Sequence, residues 1–293
     1  MRQGAGTVSG ASVAGGARRA RNATRKAASS SGLELLERAG YVIRGVLYTT
    51  MGALALGVAL GVGGTATDQS GSLVILTSGP FGRILLLAVA IGLGAYAIWG
   101  FVRAVFDPLK RGNDPPGIAE RLGFAWSGVA YTALTLFALQ LFAGINKSPS
   151  HDPTQSAISS ILTHPGGQWA AAAVGGVAIG ARIAQFVEAY RALFKQDLKR
   201  VEMNKAEKRI VDTLGRVGMV SRGVTFTLVG WFVLVAGLHR DPSAAHGFRG
   251  AFLFLLEQPL GRQLLGAVAL GFIALGLHSF ACARWVRLLG SHH

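Results

Sequence analysis

Cysteine is almost absent: Cys282 is the only one in 293 residues, so no disulfide can form within the chain. Charge is scarce, at 15% of residues against about 25% in soluble domains. Acid is scarcer still, with 14 Asp and Glu against 29 Lys and Arg. No Gly-x-Ser-x-Gly, no phosphate loop and no pair of carboxylates within an apolar run is present, which removes the motif-bearing hydrolases and nucleotide enzymes. Gly92-Leu93-Gly94-Ala95-Tyr96-Ala97 imitates a dinucleotide fingerprint, but it sits inside an apolar run instead of after a strand. The seven histidines show no metal spacing; His278 and Cys282 share a helix face but are only two ligands. The expectation is therefore no enzyme, no metal and no cofactor. The first 32 residues are basic but lack the apolar stretch of a signal peptide.

What the chain has in abundance is apolar residues, at 51%, and glycine, at 41 positions. A bilayer core of about 30 Å needs roughly 20 apolar residues in a helix. Six stretches have that length: 41–63, 81–106, 124–144, 168–193, 219–238 and 261–286. The fourth is the most polar, since it carries Arg182, Gln185 and Glu188. The fold class expected is an all-α membrane protein of six transmembrane helices.

The basic residues set a direction. Of 29 Lys and Arg, 23 lie in the N-terminal tail, the even-numbered connections, the adjoining helix ends or the C-terminal end. The positive-inside rule makes that side cytoplasmic, with both termini inside, at a bacterial plasma membrane. The same rule explains the net charge of +15 without nucleic acid. Anionic lipid headgroups at the inner face are the expected partners; a partner membrane protein or a homo-oligomer is left open.

The chain repeats itself. Gly40, Gly45, Tyr48 and Thr49 align with Gly123, Gly128, Tyr131 and Thr132, and again with Gly218, Gly223, Phe226 and Thr227. Pro80, Pro165 and Pro259 precede the second helix of each copy, where a missing N–H costs nothing. Further on, Phe101, Phe186 and Phe280 coincide. The paired glycines suit close helix crossings in lipid. Each copy holds two spans, so all three run parallel, and a pseudo-threefold bundle is the simplest packing. The expected organisation is a disordered tail over 1–32, repeats over 33–113, 114–210 and 211–288, and an end over 289–293 that is either native or a tag remnant. Leu73–Leu76, Ile158–Ile161 and Phe252–Leu256 are too short to span and predict helical turns at the outer face.

The Arg-Gly-x-x-Tyr-Thr pattern at Arg44–Thr49, followed by Pro80-x-Gly82-Arg83 and a Gly-rich helix, resembles the domain-of-unknown-function 1206 family. The resemblance covers roughly residues 33–288 and implies a bacterial membrane protein built from this two-helix unit. Repeat two departs from it, with Ser127 in the first arginine position and Gln168 in the second. The family implies no activity.

Arg182, Gln185 and Glu188 are the candidate lining of a solute path, because charge within a span usually faces protein or water. The bland reading of Arg182 is an ion pair, or snorkelling to the inner interface. Arg44 and Arg222 occupy equivalent inner positions, and the expected role is binding helix-end carbonyls or lipid phosphate, or a gate that Ser127 interrupts. Trp99, Trp126, Trp169 and Trp285 read as an aromatic belt. A channel- or transporter-like bundle for a small solute or ion is the leading function. The competing one is a non-transporting module that binds lipid or a partner membrane protein.

Overall fold

The computed structural model describes residues 31–76, 82–107, 112, 114–145, 152–191 and 203–285, the side chains of 31–37, 116 and 183–191 excepted. The tail to residue 30, Pro80, residues 192–202 and the end from 286 lie outside these, as do the side chains of Gln185, Phe186 and Glu188.

All regular structure among the described residues is helical. Six helices are long: α1 (Ser31–Leu60), α3 (Gly82–Phe106), α4 (Pro115–Phe142), α6 (Gly167–Arg191), α7 (Lys205–His239) and α9 (Gly261–Trp285). Between the members of each pair lies a short helix: α2 (Gln69–Leu76), α5 (Pro153–Leu162) and α8 (Phe248–Glu257). These are the three turns expected from the sequence. Their anchors Leu73, Ile158 and Phe252 are buried. We call the end that carries them the loop face and the opposite end the basic face.

Five of the long helices are apolar enough to cross a membrane: α1 from Arg38, α3, α4 from Gly117, α7 and α9. Helix α6 has the length, at 25 residues, but is not among them. Helix α7, at 35 residues, is about 52 Å long and exceeds the bilayer core. Its first turns, capped by the reciprocal Asn204–Glu207 box, continue without a break into the apolar part. The boundary placed at residue 210 therefore falls within one continuous helix.

The sequence hairpin is not the main packing unit. The most extensive pairings are α3 with α4, α6 with α7 and α9 with α1, so the second helix of each repeat docks on the first helix of the next, and the third repeat closes onto the first. Within repeats, α1 packs on α3 and α7 on α9, but α4 and α6 form no comparable interface among the described residues. The glycines explain the difference. A β-carbon on Gly40 would stand 2.7 Å from Tyr96 Cβ, and one on Gly218 would stand 2.7 Å from Leu275 Cα, so the backbones approach closely. The equivalent Gly123 has nothing within 4 Å. Repeat two is splayed.

At the loop face, the N-caps of the three short helices gather. Asp152 caps α5 through the Thr154 amide at 2.8 Å, and its second oxygen accepts from the amide of Gly247, the cap of α8, at 2.6 Å. Asp68 accepts from the Gly71 amide at 2.8 Å at the start of α2. Burial pushes the Asp68 carboxyl above its usual range, and Asp152 adds to this against the opposing Gly71 bond.

Candidate functional site: an arginine–tyrosine centre

Tyr41, Arg44 and Tyr48 follow one another at helical spacing on α1 and so share a face. The Arg44 guanidinium lies 5.6 Å from the Tyr41 ring centroid, 5.7 Å from Tyr48, 5.0 Å from Tyr96 of α3 and 6.0 Å from Tyr131 of α4. It also donates through Nη1 to the Tyr96 hydroxyl. Each such ring contact is worth about 0.5–2 kcal/mol, more when water is excluded. The rings hold one another as well: Tyr96 meets Tyr131 edge-on with centroids 4.7 Å apart, and Tyr41 at 5.9 Å. Tyr48, Tyr96 and Tyr131 are all buried.

Two further arginines share a second ring. Arg182 of α6 lies 4.3 Å from the Phe226 centroid and Arg222 of α7 lies 5.3 Å from it. Tyr48, in contact with Arg44, also lies within electrostatic reach of Arg222. The motif aromatics Tyr48, Tyr131 and Phe226 are thus the platforms on which the cations sit. Each repeat supplies one guanidinium: Arg44 from the first, Arg182 from the second and Arg222 from the third. Repeat two lacks the motif arginine, having Ser127, and contributes its cation from the other helix.

The depths agree. Arg44 lies 16 residues from the loop-face end of α1, Arg182 15 from that of α6 and Arg222 17 from that of α7. At 1.5 Å per residue these are about 22–26 Å from that end. All three keep part of their surface accessible. The Nε atoms of Arg44 and Arg222 are buried with no hydrogen-bond partner among the described residues.

The helix-end role expected for Arg44 belongs instead to Arg121, whose Nε and Nη2 donate to the carbonyls of Ala104 and Val105 at 2.9 and 3.2 Å. Arg44 faces inward because its face of α1 is aromatic. Trp99 is not part of a belt: it is buried, with Arg103 5.0 Å from its ring and 5.3 Å from that of Phe124. Trp126 and Trp169 do stand exposed.

The remaining motif residues hold helices. Thr132 and Thr227 donate to the carbonyls of Gly128 and Gly223 at 2.8 and 2.9 Å. Thr49 makes no such bond, and the Gly45 carbonyl it would use crowds Gly276, 2.8 Å from where a β-carbon would be. Pro165 and Pro259 each precede a helix that begins two residues later, at Gly167 and Gly261. His278 donates from Nδ1 to the Val211 carbonyl at 3.2 Å, since a carbonyl can only accept. Its Nε2 then accepts from the Cys282 thiol at 3.4 Å within α9, so the Val211 bond is what ties α9 to α7.

Tyr41 and Tyr96 were missed from the sequence. Tyr96 corresponds to Ala181 and Leu275 in the other repeats, so the repeat pattern carries no trace of it. The spacing of Tyr41 and Tyr48 about Arg44 was the available signal.

Three segments, 39–107, 122–192 and 217–286, match the family described as Domain of Unknown Function (DUF1206). The chain belongs to this family. A relative from Bacillus subtilis (strain 168), named as the uncharacterized protein YxxB, is 34% identical over 242 residues, 83% of this chain and 87% of that one. No solved structure matches. Each DUF1206 unit spans one pair of long helices and the short helix between them, and the centre takes one arginine from every unit.

Proposed function

We propose that this DUF1206 protein is a six-span bundle with pseudo-threefold order and a polar path for a small solute at its centre. In this reading α6 is the sixth span, admitted to the bilayer because α7 shelters it. The cyclic pairing of each repeat with the next supports the symmetry. The basic face is cytoplasmic, with both termini there, in a bacterial plasma membrane, where anionic headgroups meet the excess of Lys and Arg.

The observation that carries the path is that Arg182 and Arg222 share the Phe226 ring at the same depth at which Arg44 sits among its tyrosines. Charged side chains inside a span cost a few kcal/mol each and are typically kept facing protein or water. Gln185 and Glu188 follow Arg182 along the same helix, towards the basic face.

A second reading has its own support: the splayed flank between α4 and α6, with Gly123 open and Trp126 exposed, suits a lipid or a partner membrane protein. Solute flux into proteoliposomes separates the two. The path predicts flux above empty vesicles that Arg182→Ala reduces at least about tenfold. Flux equal to empty vesicles across common cations, anions and small polar solutes would leave the binding module.

A further inference from the structure

We propose that the groove between α4 and α6 is a phospholipid site, where an acyl chain fills the helix contact that the other two repeats make directly. The proposal rests on the open flank of the second reading and commits that flank to lipid.

The groove is written into the repeats. In the first, a β-carbon on Gly92 of α3 would collide with Ile43 of α1. In the third, one on Gly271 of α9 would collide with Ser221 of α7. These are equivalent positions, a side chain seated in a glycine notch. Repeat two has Trp126 and Val177 there, a larger knob and no notch. Both stand exposed, at 69% and 72%. A second contact point fails in the same way. Gly40 meets Tyr96 and Gly218 meets Leu275, but Gly123 has nothing within 4 Å and its counterpart Ala181 is exposed. Small apolar residues, Ala130 and Ala133 on α4 and Ala173 on α6, are exposed on the same two helices. Helix α4 is also the least buried of the five apolar spans. An apolar groove in a bilayer gives water no partners, and left empty it forfeits dispersion contacts along both walls. An acyl chain is flexible, narrower than a helix and already the surrounding solvent. A helix of a second copy is rigid and about 10 Å across, and it seats best on a small-residue notch, which repeat two has lost at Val177.

The test uses the full chain in detergent, stripped of lipid. Palmitoyl-oleoyl-phosphatidylcholine is added back, and bound lipids are counted by native mass spectrometry. The first lipid is expected to bind at least about tenfold more tightly than the second. Trp126→Ile combined with Val177→Gly rebuilds the joint of repeat one and should cancel that difference. Val177→Trp instead fills the groove from an exposed position and should weaken the first lipid by about the same factor. Should the double variant fail to fold, Val177→Trp decides. Ile91→Ala, exposed on α3, which forms no wall of the groove, leaves the first lipid unchanged. Equal affinity from the first lipid onward, or a tight lipid that neither variant weakens, overturns the proposal. A dimer in the same spectra that both variants dissolve gives the flank to a second copy; it overturns the lipid site and leaves the second reading standing. Proteoliposome flux judges the binding-module reading separately, so either can fail without the other.

Discussion

The ring of Phe280 lies against Gly45: a β-carbon there would stand 2.6 Å from Cε1 and 2.8 Å from Cζ. Phe101 stands in the same relation to Gly128, at 3.0 and 3.1 Å. Both pairs join the second helix of one repeat to the first helix of the next. The residue types that recur through the sequence are therefore the two halves of one joint, a ring and the notch that receives it.

Filling that notch should loosen the ring closure. Gly45→Ala forces the Phe280 ring aside and is expected to cost about 1–3 kcal/mol, the usual range for overpacking. Gly128→Ala meets a looser contact and should cost less. Unfolding midpoints of the two variants, compared in one detergent, check the order. Equal midpoints for Gly45→Ala and the unaltered protein would mean that the joint holds nothing.

The motif glycines that open each repeat should behave in opposite ways. Gly123→Ala adds a methyl group to open space and gains helix propensity, so a stabilisation of about 0.5–1 kcal/mol is expected. Gly218→Ala drives the same methyl into the backbone of Leu275 and should destabilise. Two variants at equivalent positions with the same sign of effect would contradict the splayed second repeat.

Much of this architecture was legible beforehand, because lipid forces the backbone polar groups of a helical span to pair within the helix and the two-helix unit recurs in the sequence. The short helices were legible too, from apolar runs such as Leu73–Leu76 that cannot span. The joint itself was not. Period and spacing place Gly45 and Phe280 on helix faces but do not say which repeat each face meets. Arg44 was read as an edge residue since inner-end arginines are common. Its tyrosines come from three helices, and only the packing brings Tyr96 and Tyr131 to it.

Asp68 gives the loop face a pH dependence of definite sign. Its folded-state pKa is raised, chiefly by burial, so the folded protein holds that proton more tightly than the unfolded chain. Stability is then gained as the pH falls from neutral towards the raised pKa, and lost as it rises through it. Asp68→Asn keeps an acceptor for the Gly71 amide but removes the titration. Unfolding midpoints at pH 7 and about pH 5 should converge in this variant relative to the unaltered protein. An unchanged difference would place the pH dependence elsewhere.

The direction of the bundle is open to a chemical test because Cys282 is single and buried. In a Cys282→Ser background, Ser243→Cys puts a thiol at an exposed position on the loop face, and Thr213→Cys puts one on the exposed start of α7 near the basic face. If basic residues set the orientation, a membrane-impermeant maleimide labels the first in intact cells and the second only after permeabilisation. The reverse pattern would invert the bundle. The arginine centre, about 22–26 Å from the loop face, would then lie nearer the outside, and a solute would reach it from the opposite side. Labelling therefore decides more than topology: it fixes which compartment supplies whatever the three arginines bind.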